Sequence, residues 1–357
     1  MYAKRFDAVT AKMRNKGIDQ LVVAAPSSVF YLTGKKVGPG ERLLALYIDS
    51  QGTRKFFVNE LFCITEAPGV DLVTYNDTDD PIAVLAGMVD PAGTIGIEKT
   101  WPAHFLINLM ERVPGMKIVN GSPVIDEVRI IKDPQEIDLM RKSSQINDTV
   151  MARVIAKLRE GHAEKDLARM LGPMYEEQGA NGTSFFAIIA YGANAADPHH
   201  GSGASLPQEG ESVIMDIGCF YDAYCSDMTR TVFFGNPPEE HKQIYETVRQ
   251  ANCAAENMIK PGVRFCDIDI AARSIIEEAG FGPNFTHRTG HNIGIDVHEY
   301  PDVSSINEMP VQEGMIFSIE PGIYLPGIVG VRIEDLVLVT ADGCEVLNAY
   351  SKDMQII

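Results

Sequence analysis

The sequence predicts an α+β protein in two parts: an α/β domain over residues 1–122 and a second domain over residues 123–357 built from two related halves. Three observations predict this. Short apolar runs of strand length alternate with helical patterns through the first third of the chain. A repeat of glycines and acids runs through the remainder. Four carboxylates stand at the ends of apolar runs in that second part.

In the first domain, Phe6, Val9 and Met13 keep helical spacing, and Gly17 is the stop for that helix. The runs 20–25, 43–48, 55–58 and 94–97 read as strands. Gly34-Lys35-Lys36-Val37-Gly38-Pro39-Gly40 has the wrong residue order for a phosphate loop and reads as a surface loop. Asn120-Gly121-Ser122-Pro123 marks the linker between the domains.

The second domain opens with Asp133-Pro134-Gln135-Glu136, which supplies an N-cap, a proline at the first helical position and a capping-box acid. Gly161 closes that helix, and Ile137, Met140, Val150, Val154 and Leu158 form its buried stripe. Gly161 and Gly179 are eighteen residues apart, as are Gly262 and Gly280, and each second glycine follows an acidic pair. Gly210 precedes Asp216 by the same six residues that separate Gly314 from Glu320. The halves are therefore expected to be related by a pseudo-twofold axis, each giving a helical layer and a strand pair with two acids. The second acids break the spacing: Asp216 to Asp227 is eleven residues and Glu320 to Glu334 fourteen.

The stretch 214–227 reads as a β-hairpin. With Tyr221-Asp222 as its two-residue turn, Asp216 pairs with Asp227. Directly opposed side chains have Cβ atoms roughly 4.5–5.5 Å apart, and like charges there destabilise the pairing. One reading is a solvated hairpin in which Asp227 pairs with Arg230. The other adds Glu320 and Glu334, which follow the apolar runs 315–319 and 331–333. Acids at such positions are costly to bury unless a cation or hydrogen bonds compensate them, so a binuclear site for divalent metal is the economical account.

Composition narrows the classes. The net charge of −18 argues against nucleic acid or an anionic membrane as partner. No apolar run approaches the roughly 20 residues of a membrane-spanning helix, and the N-terminus lacks the apolar block of a secretory signal. The six cysteines form no Cys-x-x-Cys pair, so neither a disulfide framework nor a thiolate zinc site is indicated. A cytoplasmic protein with reduced thiols is expected.

Five of the eight histidines fall in two short segments: His199 and His200, then His287, His291 and His298. Gly290 and Gly294 break any continuous helix through the second segment, which excludes a His-Glu-x-x-His zinc helix. An oxygen-rich set with one imidazole suits Mn²⁺, Co²⁺ or Zn²⁺ better than Ca²⁺. Two such metals about 3.5–4 Å apart can hold a bridging hydroxide and polarise a carbonyl. Residue chemistry alone thus reaches a binuclear metallohydrolase.

The segments Asp216-Ile217-Gly218, Ser226-Asp227-Met228-Thr229-Arg230-Thr231, Gly290-His291-Asn292-Ile293-Gly294, Val297-His298-Glu299, Ile319-Glu320-Pro321-Gly322-Ile323-Tyr324 and Gly330-Val331-Arg332-Ile333-Glu334-Asp335 resemble the signature of the pita-bread metallopeptidases. The N-terminal part, with Tyr31-Leu32-Thr33-Gly34, resembles the extra domain of the prolidase, aminopeptidase P and creatinase branch. The resemblance implies a pita-bread catalytic domain with a curved, mainly antiparallel sheet covered by helices. It implies two metal ions, manganese first, held by Asp216, Asp227, His291, Glu320 and Glu334, with Asp227 and Glu334 bridging. Creatinase does not keep this set.

By the same resemblance His199 and His298 contact substrate and stabilise the tetrahedral intermediate, and His287, Arg332 and Tyr324 line the substrate pocket; residue chemistry by itself offers Glu320 as the carboxylate that shuttles the proton. His200 stands where glycine or an aromatic is expected. The implied activity is removal of the residue before proline, from Xaa-Pro dipeptides, by a cytoplasmic homodimer. The alternatives are an aminopeptidase P acting on longer Xaa-Pro peptides and a catalytically inactive member that uses the fold to bind.

Overall fold

The computed structural model describes residues 1–357 as two compact units, 1–129 and 130–357. In the first, the helix Tyr2–Lys16 buries Phe6, Val9 and Met13 and ends at Gly17, as their spacing predicts. The six-stranded sheet runs in the order Asp71–Tyr75, Arg54–Asn59, Ala45–Asp49, Gln20–Val23, Thr94–Ile97, Lys117–Asn120, with antiparallel pairing at its centre and parallel pairing towards both edges. Residues 35–39 carry no regular structure, in keeping with a surface loop.

The boundary expected at 122/123 falls inside a helix rather than a linker. Asn120 Oδ1 accepts the Ser122 backbone N–H at 3.0 Å, and the helix Ser122–Arg129 follows at once, burying Val124 and Ile125. An Asn-Gly-Ser-Pro string carries turn chemistry and also helix-start chemistry, and here the second applies. The compact units divide seven residues later, between Arg129 and Ile130.

In the second unit, Asp133 caps the helix Pro134–Leu158 with the expected capping box closed by Glu136. That helix and Glu164–Glu177 cover the antiparallel strands Ile188–Tyr191, Glu211–Ile217 and Met228–Phe234. The helices Glu239–Met258 and Phe265–Glu278 cover a second antiparallel sheet containing Gly290–Asn292, Ile316–Ile319 and Asp335–Val339. The repeated glycines have a physical cause. Matched members share a positive φ, 74° and 90° at Gly161 and Gly262, 82° and 87° at Gly179 and Gly280, 86° at both Gly210 and Gly314. Only glycine adopts that backbone at little cost, so both halves keep it where a helix or turn ends.

Strand alternation then decides where the acids point. Val213, Met215 and Ile217 are buried against Val150, Val154 and Leu171 of the first helix pair, so Asp216 faces the other side. Phe317 and Ile319 are buried against Ile244, Val248 and Phe265 of the second pair, which puts Ser318 and Glu320 opposite. Asp227 and Glu334 each sit one residue before the third strand of their half, Met228–Phe234 and Asp335–Val339. Their unequal spacing comes from a longer hairpin in the second half, Gly322–Leu325 with Val329–Arg332, where the first half has only Phe220–Tyr221 with Tyr224–Cys225.

The hairpin register differs from the expectation by one residue. The turn is Asp222-Ala223, with φ of 48° and 76°, and Tyr221 pairs with Tyr224. Two consecutive positive φ values match the twist of a tight hairpin, but alanine gives no hint of such a backbone. Thr229, not Asp227, therefore lies opposite Asp216. Moving the turn by one residue shifts the pairing by two, which preserves the face, so both acids still reach one site. Arg230 does not pair with Asp227; it is buried and donates to Asp335 Oδ1 at 2.7 Å and to the carbonyls of Glu334 and Tyr350 at 2.6 Å.

Candidate metal centre and active site

A cavity of about 240 Å³ is lined by Asp216, Asp227, His291, Glu320 and Glu334 together with His199, His287, His298 and Arg332. Every ligand inferred from the sequence is there. Tyr324 stands behind this wall and His200 turns away from it, donating from Nε2 to Glu164 at 2.9 Å. Phe185, Ile188, Pro198 and Val297 supply an apolar side, and Arg288 completes the lining. These five were not singled out from the sequence, because four of them lie in loops, where apolar and basic residues carry no pattern, and Ile188 reads only as the start of an apolar strand.

Asp227, His291 and Glu334 are buried and offer ligand atoms that all lie within 4.8 Å of one another. His291 Nδ1 lies 3.1 Å from the Asn292 carbonyl. That carbonyl can only accept, so Nδ1 carries the proton and Nε2 presents its lone pair. Nε2 faces Glu320 Oε1 at 3.4 Å and Asp227 Oδ2 at 3.8 Å. Burial, with His298 nearby, lowers the His291 pKa to about 3, which keeps the imidazole neutral. A lone pair aimed at carboxylates fits a cation between them. Asp216 Oδ1 and Asp227 Oδ1 are buried without a hydrogen-bond partner and point to the same conclusion.

Burial, then Glu334, Asp216 and Glu320, push Asp227 well above the carboxylate range. Glu334 rises for the same first reason, and then through Glu320 and Asp216. Burial drives Glu320 up to about 7 against the pull of Arg332. Three hydrogen bonds here tie the halves together: Arg332 donates from Nη2 to Asp216 Oδ2 at 2.7 Å and from Nε to Thr229 Oγ1 at 3.1 Å, and Thr229 donates to Glu334 Oε2 at 2.7 Å. Arg332 Nη1 also donates to Tyr324 Oη at 2.9 Å, and that hydroxyl lies 2.9 Å from His287 Nε2. His287 Nδ1 donates to the Arg288 carbonyl at 2.7 Å. Both nitrogens of His287 are thus engaged within the protein, and it lines the cavity with its ring.

The acid cluster makes the metal-stripped protein sensitive to pH in an unusual direction. Glu320, Asp227 and Glu334 hold protons more tightly folded than unfolded, so raising the pH takes protons from the folded form at a cost. His287 and His291, lowered to about 4 and about 3 by burial first, act oppositely, but only below the ordinary histidine value of about 6.5. The midpoint of thermal unfolding in chelator is expected to fall as pH rises from about 6.5 through 7, whereas excess divalent metal removes the fall by binding the deprotonated carboxylates. A midpoint in chelator that rises across this range would contradict the cluster's assigned charge state.

Comparison with known proteins decides the family. Residues 138–341 match the model of metallopeptidase family M24, and residues 5–131 match the creatinase/prolidase N-terminal domain. The chain is a metallopeptidase of family M24. It belongs to the prolidase and aminopeptidase P branch, whose N-terminal domain it carries, and its fold is the pita-bread fold with mainly antiparallel sheets. It is 35% identical over 357 residues to an uncharacterized peptidase of Staphylococcus aureus (strain MSSA476), covering 98% of this chain and 99% of that one. A recombinant prolidase from Thermococcus sibiricus superposes with a TM-score of 0.94 at 35% identity, over 100% of this chain and 99% of that one. Dipeptidase PepE from Mycobacterium ulcerans gives a TM-score of 0.93 at 34% identity, over 100% and 98%. M24 peptidases use divalent metal ions, in agreement with the donor set at the cavity. No helix of the chain is long and apolar enough to cross a membrane.

Proposed function

We propose that the chain hydrolyses the peptide bond preceding proline, acting first on Xaa-Pro dipeptides, with two divalent metal ions held by Asp216, Asp227, His291, Glu320 and Glu334. The observation that carries this reading is the convergence of all five donors with His199 and His298 on one cavity. When bound, the metal supplies Lewis-acid polarisation of the scissile carbonyl and an activated water. Glu320, a carboxylate on the cavity wall, takes the proton from the attacking water and passes it to the departing amine. Partial desolvation at the cavity, with Arg288 nearby, lowers the pKa of His298, so its imidazole is neutral and has an N–H to donate to the developing oxyanion; the His199 ring lines the same cavity as a second donor.

Phe185, Ile188, Pro198 and Val297 give the proline ring an apolar wall. At about 240 Å³ the cavity lies below the roughly 300–1,000 Å³ of drug-sized ligand pockets, which supports a short substrate. Prolidase and dipeptidase among the similar structures support the dipeptide preference. The manganese preference, cytoplasmic setting and homodimer that the family resemblance implies go with this reading. An inactive binding protein has no need of the donors, and here all five are present.

The test is a panel of Xaa-Pro dipeptides and Xaa-Pro-Yaa tripeptides with manganese, cobalt and zinc. Dipeptides are expected to be cleaved with at least about tenfold higher kcat/KM, a transition-state difference of about 1.4 kcal/mol. Faster tripeptide cleavage would make the protein an aminopeptidase P. Equal cleavage of peptides lacking proline would remove the proline assignment itself.

A further inference from the structure

The Glu164 carboxylate lies outside the cavity lining, and no step above uses it, yet it is fully buried and accepts four hydrogen bonds. Oε1 takes the Tyr191 backbone N–H and the Asn194 side-chain amide, both at 2.9 Å. Oε2 takes His200 Nε2 at 2.9 Å and the Gly203 N–H at 2.8 Å. The first pair holds the start of the segment 192–205 and the second pair its far end. The same helix start adds backbone bonds from Glu164 N to Ser205 O at 3.2 Å and from Lys165 N to Gly203 O at 2.9 Å. His199 sits within this segment at the cavity wall. Its backbone N–H bonds Asp197 Oδ1 at 3.0 Å, while its exposed ring has no hydrogen bond of its own to set its place. The position of His199 therefore follows from the backbone that Glu164 staples.

The second half of the unit also ties a loop to its second helix through a buried acid, from a different position on that helix. Asp269, also fully buried on the second helix of its pair, accepts the Thr289 hydroxyl at 2.7 Å and pairs with Arg273 at 2.8 Å. Arg273 donates onward to the His287 carbonyl at 3.0 Å. Each half thus uses a buried acid on its second helix to hold the loop that brings a histidine to the cavity.

We infer that Glu164, with His200 as its partner, is a positioning residue that fixes the segment 192–205 so that His199 meets the substrate. The inference rests on the proposed role of His199. A group displaced by about 1 Å can cost 10²-fold in rate, so loosening this staple has a large effect without touching a metal ligand.

The experiment is a double-mutant cycle of Glu164→Gln and His199→Ala on the manganese-loaded enzyme with alanylproline. Glu164→Gln is expected to lower kcat by on the order of 10-fold to 10²-fold, with KM and metal content held. Amide hydrogen exchange is expected to quicken across residues 192–205. On the His199→Ala background the further loss from Glu164→Gln should shrink to within about 2-fold, because the residue acts through the side chain already removed. An undiminished loss on that background overturns the inference, as does wild-type turnover in folded Glu164→Gln. Where Glu164→Gln does not fold, His200→Ala removes one bond from a partly exposed ring and is read in the same cycle. Wild-type turnover in His199→Ala alone removes the role on which the inference rests, a separate failure seen in a separate variant.

Discussion

Asp227→Asn abolishes hydrolysis and metal binding while leaving the metal-stripped protein at least as stable as the parent: this is the expected result, and its two halves have one cause. Asp227 is 4% exposed, its Oδ1 has no hydrogen-bond partner, and Glu334, Asp216 and Glu320 all repel its charge. With metal present the charge is what the site needs. Without metal it is a buried liability, and an amide of the same shape removes it at little cost in packing. Metal content measured after equilibration with manganese should drop to background, and turnover should fall below detection. In chelator above pH 7 the unfolding midpoint should rise by a few degrees, since ~1 kcal/mol moves it by about 2–4 °C in a domain of this size. Loss of cooperative unfolding in the variant, where the metal-free parent stays folded, would give Asp227 a structural role instead.

The four acids of the proposed ligand set were legible in the sequence from their places beside apolar runs, whereas the choice of His291 among the clustered histidines came from the family resemblance. Asp216 and Glu320 end apolar strands six residues after glycines that both adopt a φ of 86°, so the repeat announced them. His291 lies between glycines that exclude a helix. The network linking the donors was less legible. Thr229 joins Arg332 to Glu334 only because the turn sits at Asp222-Ala223, and alanine with φ of 76° leaves no trace in the sequence. Tyr324 and His287 meet across thirty-seven residues at 2.9 Å, a distance set by how the hairpin carrying Tyr324 lies against the loop before Gly290–Asn292 and not by spacing. Glu164 reads as an acid in the first turn of a helix, where it complements the helix dipole. Nothing in the pattern shows that it is fully buried or that a loop closes over it.

His291 and His298 lie seven residues apart, their rings 4.1 Å from each other and nearly perpendicular, and their substitution by alanine should nevertheless give different deficits. The cause is their hydrogen bonding and burial. His291 is 3% exposed, its Nδ1 proton is committed to the Asn292 carbonyl, and its Nε2 looks at Asp227 and Glu320. Its removal takes away the only nitrogen donor of the set and leaves buried carboxylates to hold the cation by charge alone. His291→Ala should therefore lose at least one metal ion per chain, and activity with it. His298 is solvent-exposed at the cavity and stands on the loop beyond the strand that carries His291. It faces the substrate side, so His298→Ala should keep both ions and lower kcat by on the order of 10²–10³, the cost of one lost oxyanion donor. Elemental analysis of the two purified variants, run beside their rates on alanylproline, separates the roles. Metal lost from His298→Ala and kept in His291→Ala would exchange the two assignments and move the cation towards the cavity mouth, away from the buried oxygens of Asp227 and Glu334.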